Sequence, residues 1–359
     1  MRTAKVILLL LVVGGATIAA REVVQSIRIK PVKPVAEKPQ IQVVSAIPSR
    51  ATGRYDLSDV QLLNDNQAWA VGYDGEHTDR LYHSLDAGQT WAPVSVPGTG
   101  FTFKALHFAD SRHGWAVGGY GLIIRTTDGG ASWHLMKQPT KYDLTAVHFV
   151  NARVGFVGGV TGIRDKITDE MTGSVEILRT TDGGESWRRC YFNDEPLNFF
   201  QILARSESNV FVVLGGNQLI RTDDQGQTWQ TIPLSVKYVS WITFNPDGSG
   251  WLVGSHGTFQ TSSDGGESWH RPLSLNQEFA NREWWAVAFN GNGVGLAVGD
   301  NSTLALTTDN GKTWELQTSI KSDHLRAIQI QDSRAVILGS QNAYSIDLST
   351  ASSEQARSK

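Results

Sequence analysis

The sequence predicts an all-β fold, a seven-bladed β-propeller whose last blade is closed by an N-terminal strand, and three repeated features carry the prediction. The first is a box, Ser/Thr-x-Asp-x-Gly-x-Ser/Thr-Trp, which occurs six times with its aspartates at Asp86, Asp128, Asp182, Asp224, Asp264 and Asp309. The second is an apolar strand ending in glycine ahead of each box, at residues 69–72, 115–118, 156–159, 211–215, 251–254 and 296–299. The third is a further strand before that one, apolar at matching places such as Leu57/Val60/Leu62 and Phe103/Leu106/Phe108. Each unit reads as four short strands, the last beginning at the box Trp. A seventh unit lacks the box: residues 325–330, 335–339 and 343–348 give three strands, and the β-rich stretch 41–47 supplies the fourth. Joining both chain ends in one blade closes the ring and leaves no free sheet edge.

From the N-terminus, Arg2 and Lys5 precede an apolar run that starts at Val6 and continues through small residues to Ala20. This is the charged n-region and apolar h-region of an export signal, short for a bilayer span. Residues 1–20 are read as a signal peptide or an N-terminal membrane anchor. No cysteine follows the run, which excludes a lipid anchor at that site. Residues 21–40, with Pro31, Pro34 and Pro39 among lysines, form a basic extended linker. The propeller occupies 41–349, and 350–359 is a polar tail. The expected destination is the periplasm, or a thylakoid lumen in a photosynthetic source, with the body tethered if the signal stays uncut.

Composition follows the architecture. There are 36 Gly and 12 Trp beside 3 Met and 1 Cys, so neither a disulfide scaffold nor a multi-thiolate zinc site is possible. Cys190 reads as a buried lone thiol. The net charge of −3 hides a basic first forty residues and an acidic remainder, a poor match to nucleic-acid phosphates. Neither a cofactor nor a metal is expected.

The box types have a structural reason. An Asp carboxylate can accept backbone N–H groups across the hairpin between the third and fourth strands, Gly permits positive φ, and Trp covers the turn. Six identical turns around a ring aim their acids at six separate places, which argues against six catalytic acids or calcium ligands.

These boxes are the Asp-box, or bacterial neuraminidase, repeat of sialidases, sortilin-type receptors, some endoglucanases and photosystem II assembly factors. The spacing, the Trp69-Ala70-Val71-Gly72, Trp115-Ala116-Val117-Gly118 and Trp251-Leu252-Val253-Gly254 strands and the Thr-Thr-Asp-Gly-Gly box most resemble the last family. That resemblance implies an exported, non-enzymatic propeller that helps to assemble a membrane protein complex, photosystem II if the source is photosynthetic. The alternative is an exported glycan-acting hydrolase of the sialidase-like class. Glycoside hydrolysis needs two opposed carboxyls or a Tyr/Glu nucleophile with an acid. The innermost strands offer only Asp59, where three other units have Ala105, Ala146 and Ala286. An ion pair with Arg326 of the adjoining last blade is its expected role.

A protein partner has a candidate surface. Arg54-Tyr55, Lys141-Tyr142 and Lys237-Tyr238 precede inner strands, Arg282 precedes Trp284-Trp285, and Lys104 and Arg326 lie one residue into theirs. Together they would ring the channel mouth, opposite the boxes, with cations and aromatics suited to an acidic or extended polypeptide. Solvated loop charges explain each of them equally well. Trp241 and Trp285 fall outside the repeat pattern, as packing residues or as aromatic contacts. The insertion 160–174 is a partner lid or a surface hairpin. His107 and His148 share one repeat position, which repeat descent explains without a metal. A monomer is expected.

Overall fold

The computed structural model describes residues 42–46, 56–73, 79–96, 102–161, 163–164, 171–215, 217–236, 238–272, 275, 277–321, 323–340 and 342–349. The leader, linker and tail lie outside them. The described strands form seven antiparallel sheets, one per sequence unit, and the chain is a seven-bladed β-propeller. The innermost strands of blades 1 to 7 are Asp56–Leu62, Phe103–Phe108, Asp143–Phe149, Phe199–Ala204, Trp241–Phe244, Trp284–Phe289 and Leu325–Gln331. The second strands are the glycine-ended runs, fully buried over Gly114–Gly118, Gly250–Gly254 and Gly295–Gly299.

Blade 7 closes as the sequence predicts. Gln42–Ala46 lies beside Ala343–Asp347, with Gln42 opposite Asp347 and Ala46 opposite Tyr344. Blade 5 departs from the four-strand expectation. Its sheet has three strands among the described residues, and its box Trp leads only to a single bridge between Thr261 and His270. The reason is Pro272. At the matching place Met136 donates its N–H to Ile123 and Gln317 donates to Leu304, bonds that proline has no N–H to make. In blade 3 the described part of the insertion pairs Ile163 with Thr172 and Arg164 with Met171, at the start of the long strand Met171–Thr180, while residues 165–170 lie outside the described residues.

The seams between blades repeat one aromatic arrangement. Trp69 of blade 1 contacts Phe108 and Trp133 of blade 2, and Trp251 of blade 5 contacts Phe289 and Trp314 of blade 6. Trp115 stacks on Phe149 at 3.4 Å and donates its indole N–H to the Gly183 carbonyl of the next box. The box glycine completes the seam. A Cβ on Gly130 would lie 2.2 Å from Trp69, and one on Gly311 would lie 2.1 Å from Trp251, so only glycine lets the neighbouring indole lie flat on the turn.

Each box works as expected. The carboxylate takes the backbone N–H of the following Ser/Thr at one oxygen and its hydroxyl at the other, as in Asp128 with Ser132 at 2.9 and 2.6 Å. These donors hold Asp182 and Asp224 down to about 2 and Asp128 and Asp264 lower still. An ionised, fully donor-satisfied turn carboxylate is structural.

Candidate functional site

The innermost strands surround an axial cavity of about 350 Å³. They splay around it, and side chains take over the bonding that backbone ladders provide within a blade. Gln61 of blade 1 accepts the Phe108 N–H at 2.7 Å and donates to the Phe108 carbonyl at 3.0 Å. Gln201 of blade 4 makes the same pair of bonds to Ile242 of blade 5. His107 of blade 2 accepts the Phe149 N–H of blade 3 at 3.2 Å.

Asp59 belongs to this set of rungs. Its two oxygens accept the N–H groups of Val60 and Leu106, each at 2.9 Å. This corrects the expected ion pair: the carboxylate bridges blades 1 and 2 through backbone amides and does not pair with Arg326. Removal from water raises its pKa to about 7, more than the two amides lower it. It is the one acid among the described residues lining the cavity. Both oxygens are occupied, so it serves as a strut.

His107 and His148 lie with ring centroids 4.2 Å apart, tilted by 32°, across the blade 2–blade 3 seam. Burial holds His107 well below the ordinary imidazole value and His148 down to about 4. The rings are neutral fillers, and no group of three or more metal-ligating side chains occurs among the described residues. Because the folded pKa lies below the unfolded 6.5, their contribution is present above pH 6.5 and is lost as pH falls towards 4. Urea unfolding across that window should show a loss on the order of 3 kcal/mol from His148 alone. His107→Gln with His148→Gln keeps the rung geometry of Gln61 and should flatten the slope. A double variant as acid-sensitive as the parent would refute this origin.

The candidate partner residues fall into three groups. Arg54, Tyr55 and Lys237 lie outside the described residues. Lys104, Trp285 and Arg326 share a local backbone feature that the sequence did not disclose. In six blades the inner strand shifts register by one residue, and the extra residues include Lys104, Trp285 and Arg326. A bulge kinks its strand and re-aims the extra side chain, and Lys104 and Arg326 line the mouth of the cavity. The third group stands on the connecting loops: Lys141 and Tyr238 are exposed, Tyr142 is half-buried, and Arg282 donates to Thr303 Oγ1 at 3.3 Å. Trp285 is half-buried and its indole N–H meets Asp300 Oδ1 at 2.9 Å, while Asp300 also bonds His324. Trp241 lines the axial cavity and packs against the cores of blades 5 to 7. Cys190 is half-buried, with Sγ against the Ile177 carbonyl and a pKa raised to about 12 by burial, an unreactive thiol.

Residues 237–323, covering blades 5 and 6 and ending just before the inner strand of blade 7, match the family model described as photosynthesis system II assembly factor YCF48. The chain resembles the photosystem II assembly factors. The photosystem II assembly lipoprotein Ycf48 of Prochlorococcus marinus is 26% identical over 206 residues, covering 47% of this chain and 60% of that protein. The chain thus spans about six-tenths of the length of such assembly-factor relatives. The solved structure of YCF48 bound to D1 peptide superposes with a TM-score of 0.64 at 21% identity, over 85% of this chain and 96% of that one. A GH74 xyloglucanase from Xanthomonas campestris reaches 0.62 at 14% identity over 54% of its own length. At such identities both structures share the fold; the sequence match favours the assembly factors.

Proposed function

We propose that the protein is a non-catalytic, protein-binding propeller that captures an exported polypeptide segment of a membrane protein and assists assembly of its complex, photosystem II where the source is photosynthetic. The observation that carries this reading is the sequence match to assembly factors over residues 237–323, the stretch that holds Tyr238, Arg282 and Trp285. The cations at the channel mouth support it, since charge on a rim steers an acidic segment and fixes its orientation. The hydrolase alternative lacks an observation of its own: Asp59 is a single acid with both oxygens bonded to amides. On this reading the body is a monomer in the periplasm or lumen, held near the membrane by its N-terminal segment.

The test uses a fluorescein-labelled D1 peptide, the ligand named for the solved relative. Anisotropy should report binding to the parent chain and a loss of at least about tenfold in Lys104→Glu/Lys141→Glu/Arg326→Glu. Equal affinity in the two proteins would overturn the part given to these three cations, and a parent chain that does not bind would overturn the assignment of this face.

A further inference from the structure

The hairpins joining second and third strands open on the same face, and three of them share an unusual tip. Tyr120 in blade 2, His256 in blade 5 and Asn301 in blade 6 have φ of 55, 57 and 52°, each followed by a second residue at positive φ, Gly121, Gly257 or Ser302. This is the turn whose two central positions favour Asn-Gly, because both need the left-handed region. Asn301 fits the rule. Tyr120 and His256 break it: large rings in a backbone region that bulky residues rarely adopt.

The neighbouring blade holds both exceptions in place. Asp143, at the start of the blade 3 inner strand, accepts the Tyr120 N–H at 2.9 Å, and Glu283, just before the blade 6 inner strand, accepts the His256 N–H at 3.1 Å. Neither ring enters the core. Tyr120 is 71% exposed, the most exposed aromatic side chain of the described residues, and His256 is exposed and stacked at 5.1 Å on Tyr238, itself half in solvent. Strain kept at side chains that stand in solvent is a feature of binding surfaces.

We infer that Tyr120 and the His256–Tyr238 stack are the two aromatic grips of the partner face, and that they hold an extended, acidic polypeptide laid across the channel mouth. Blades 2 and 5 are three places apart in a ring of seven, so the grips flank the opening on opposite sides. Lys104, on the Tyr120 side in blade 2, and Arg326, in blade 7, line the cavity. An extended chain anchored by aromatics at both sides would also pass the cations that line the cavity, and exposed Tyr and His rings give contact area at low entropic cost.

This inference rests on the partner-binding reading of the same face, so its test separates the two. Tyr120→Asn and His256→Asn install the residue the turn prefers. The thermal midpoint should hold or rise by about 1 °C, while affinity for the labelled D1 peptide should fall about tenfold in each. A midpoint several degrees lower would make the rings structural, and unchanged affinity in both variants would likewise overturn the inference. Unchanged affinity here beside loss in the triple charge reversal would leave the binding face standing without these grips. Loss here beside a silent charge reversal would uphold the grips and remove the cations. A parent chain that does not bind the peptide would overturn both proposals.

Discussion

A chain that begins at residue 48 should be far less stable than one that begins at residue 39. The first lacks the strand Gln42–Ala46 and the second retains it, and neither carries the leader. The missing strand supplies four cross-strand pairs with residues 344–347 and packs Val43 against the blade 6–blade 7 core. Losing them costs about 3 kcal/mol from pair and burial terms alone. It also bares the edge of Ala343–Asp347, a row of unpaired backbone groups open to another chain. Thermal unfolding should drop by roughly 5 to 10 °C, and size-exclusion chromatography should show concentration-dependent association. Equal midpoints and a monomeric short chain would show that the ring closes without its N-terminal strand.

Trp115→Ala is expected to be the most damaging single substitution among the seam aromatics. Trp115 is fully buried, stacks on Phe149, and donates to the Gly183 carbonyl. Alanine leaves a cavity between blades 2 and 3 and orphans that carbonyl, at a cost of about 3–5 kcal/mol. Trp115→Phe keeps most of the volume and loses the hydrogen bond, for about 1–2 kcal/mol. Denaturant midpoints at constant slope would measure both; an alanine cost below about 1 kcal/mol would mean that the seam relaxes around the loss.

The repeat made most of the architecture legible. Box spacing, the glycine-ended strand and the unpaired last unit together prescribed seven blades and the closing strand, because each is a local pattern copied six or seven times. What stayed hidden depends on contacts between copies. The glycine of a box was assigned to positive φ alone, whereas Gly130 and Gly311 also make room for an indole of the preceding blade. Charge alone points Asp59 to Arg326 of the adjoining blade, whereas its carboxylate accepts two backbone amides, Val60 and Leu106. The bulges that carry Lys104, Trp285 and Arg326 have no residue signature, since any side chain can occupy the extra place. Tyr120 and His256 were visible in principle: a large residue followed by Gly where Asn-Gly belongs is a readable exception. Pro272 was equally readable as a break in the fourth strand of blade 5.

The register of the closing strand has a mechanical consequence. Gln42 faces Asp347, so the chain leading towards the N-terminus and the chain leading towards the C-terminus leave the ladder from the same end. A pull between those two ends loads one cross-strand pair at a time, like a zipper, and cannot place all of them in shear together. In a molecule held at its N-terminal side, force on the C-terminal side would therefore open blade 7 before any other seam. The ring that heat must break cooperatively can be undone by traction from its single join.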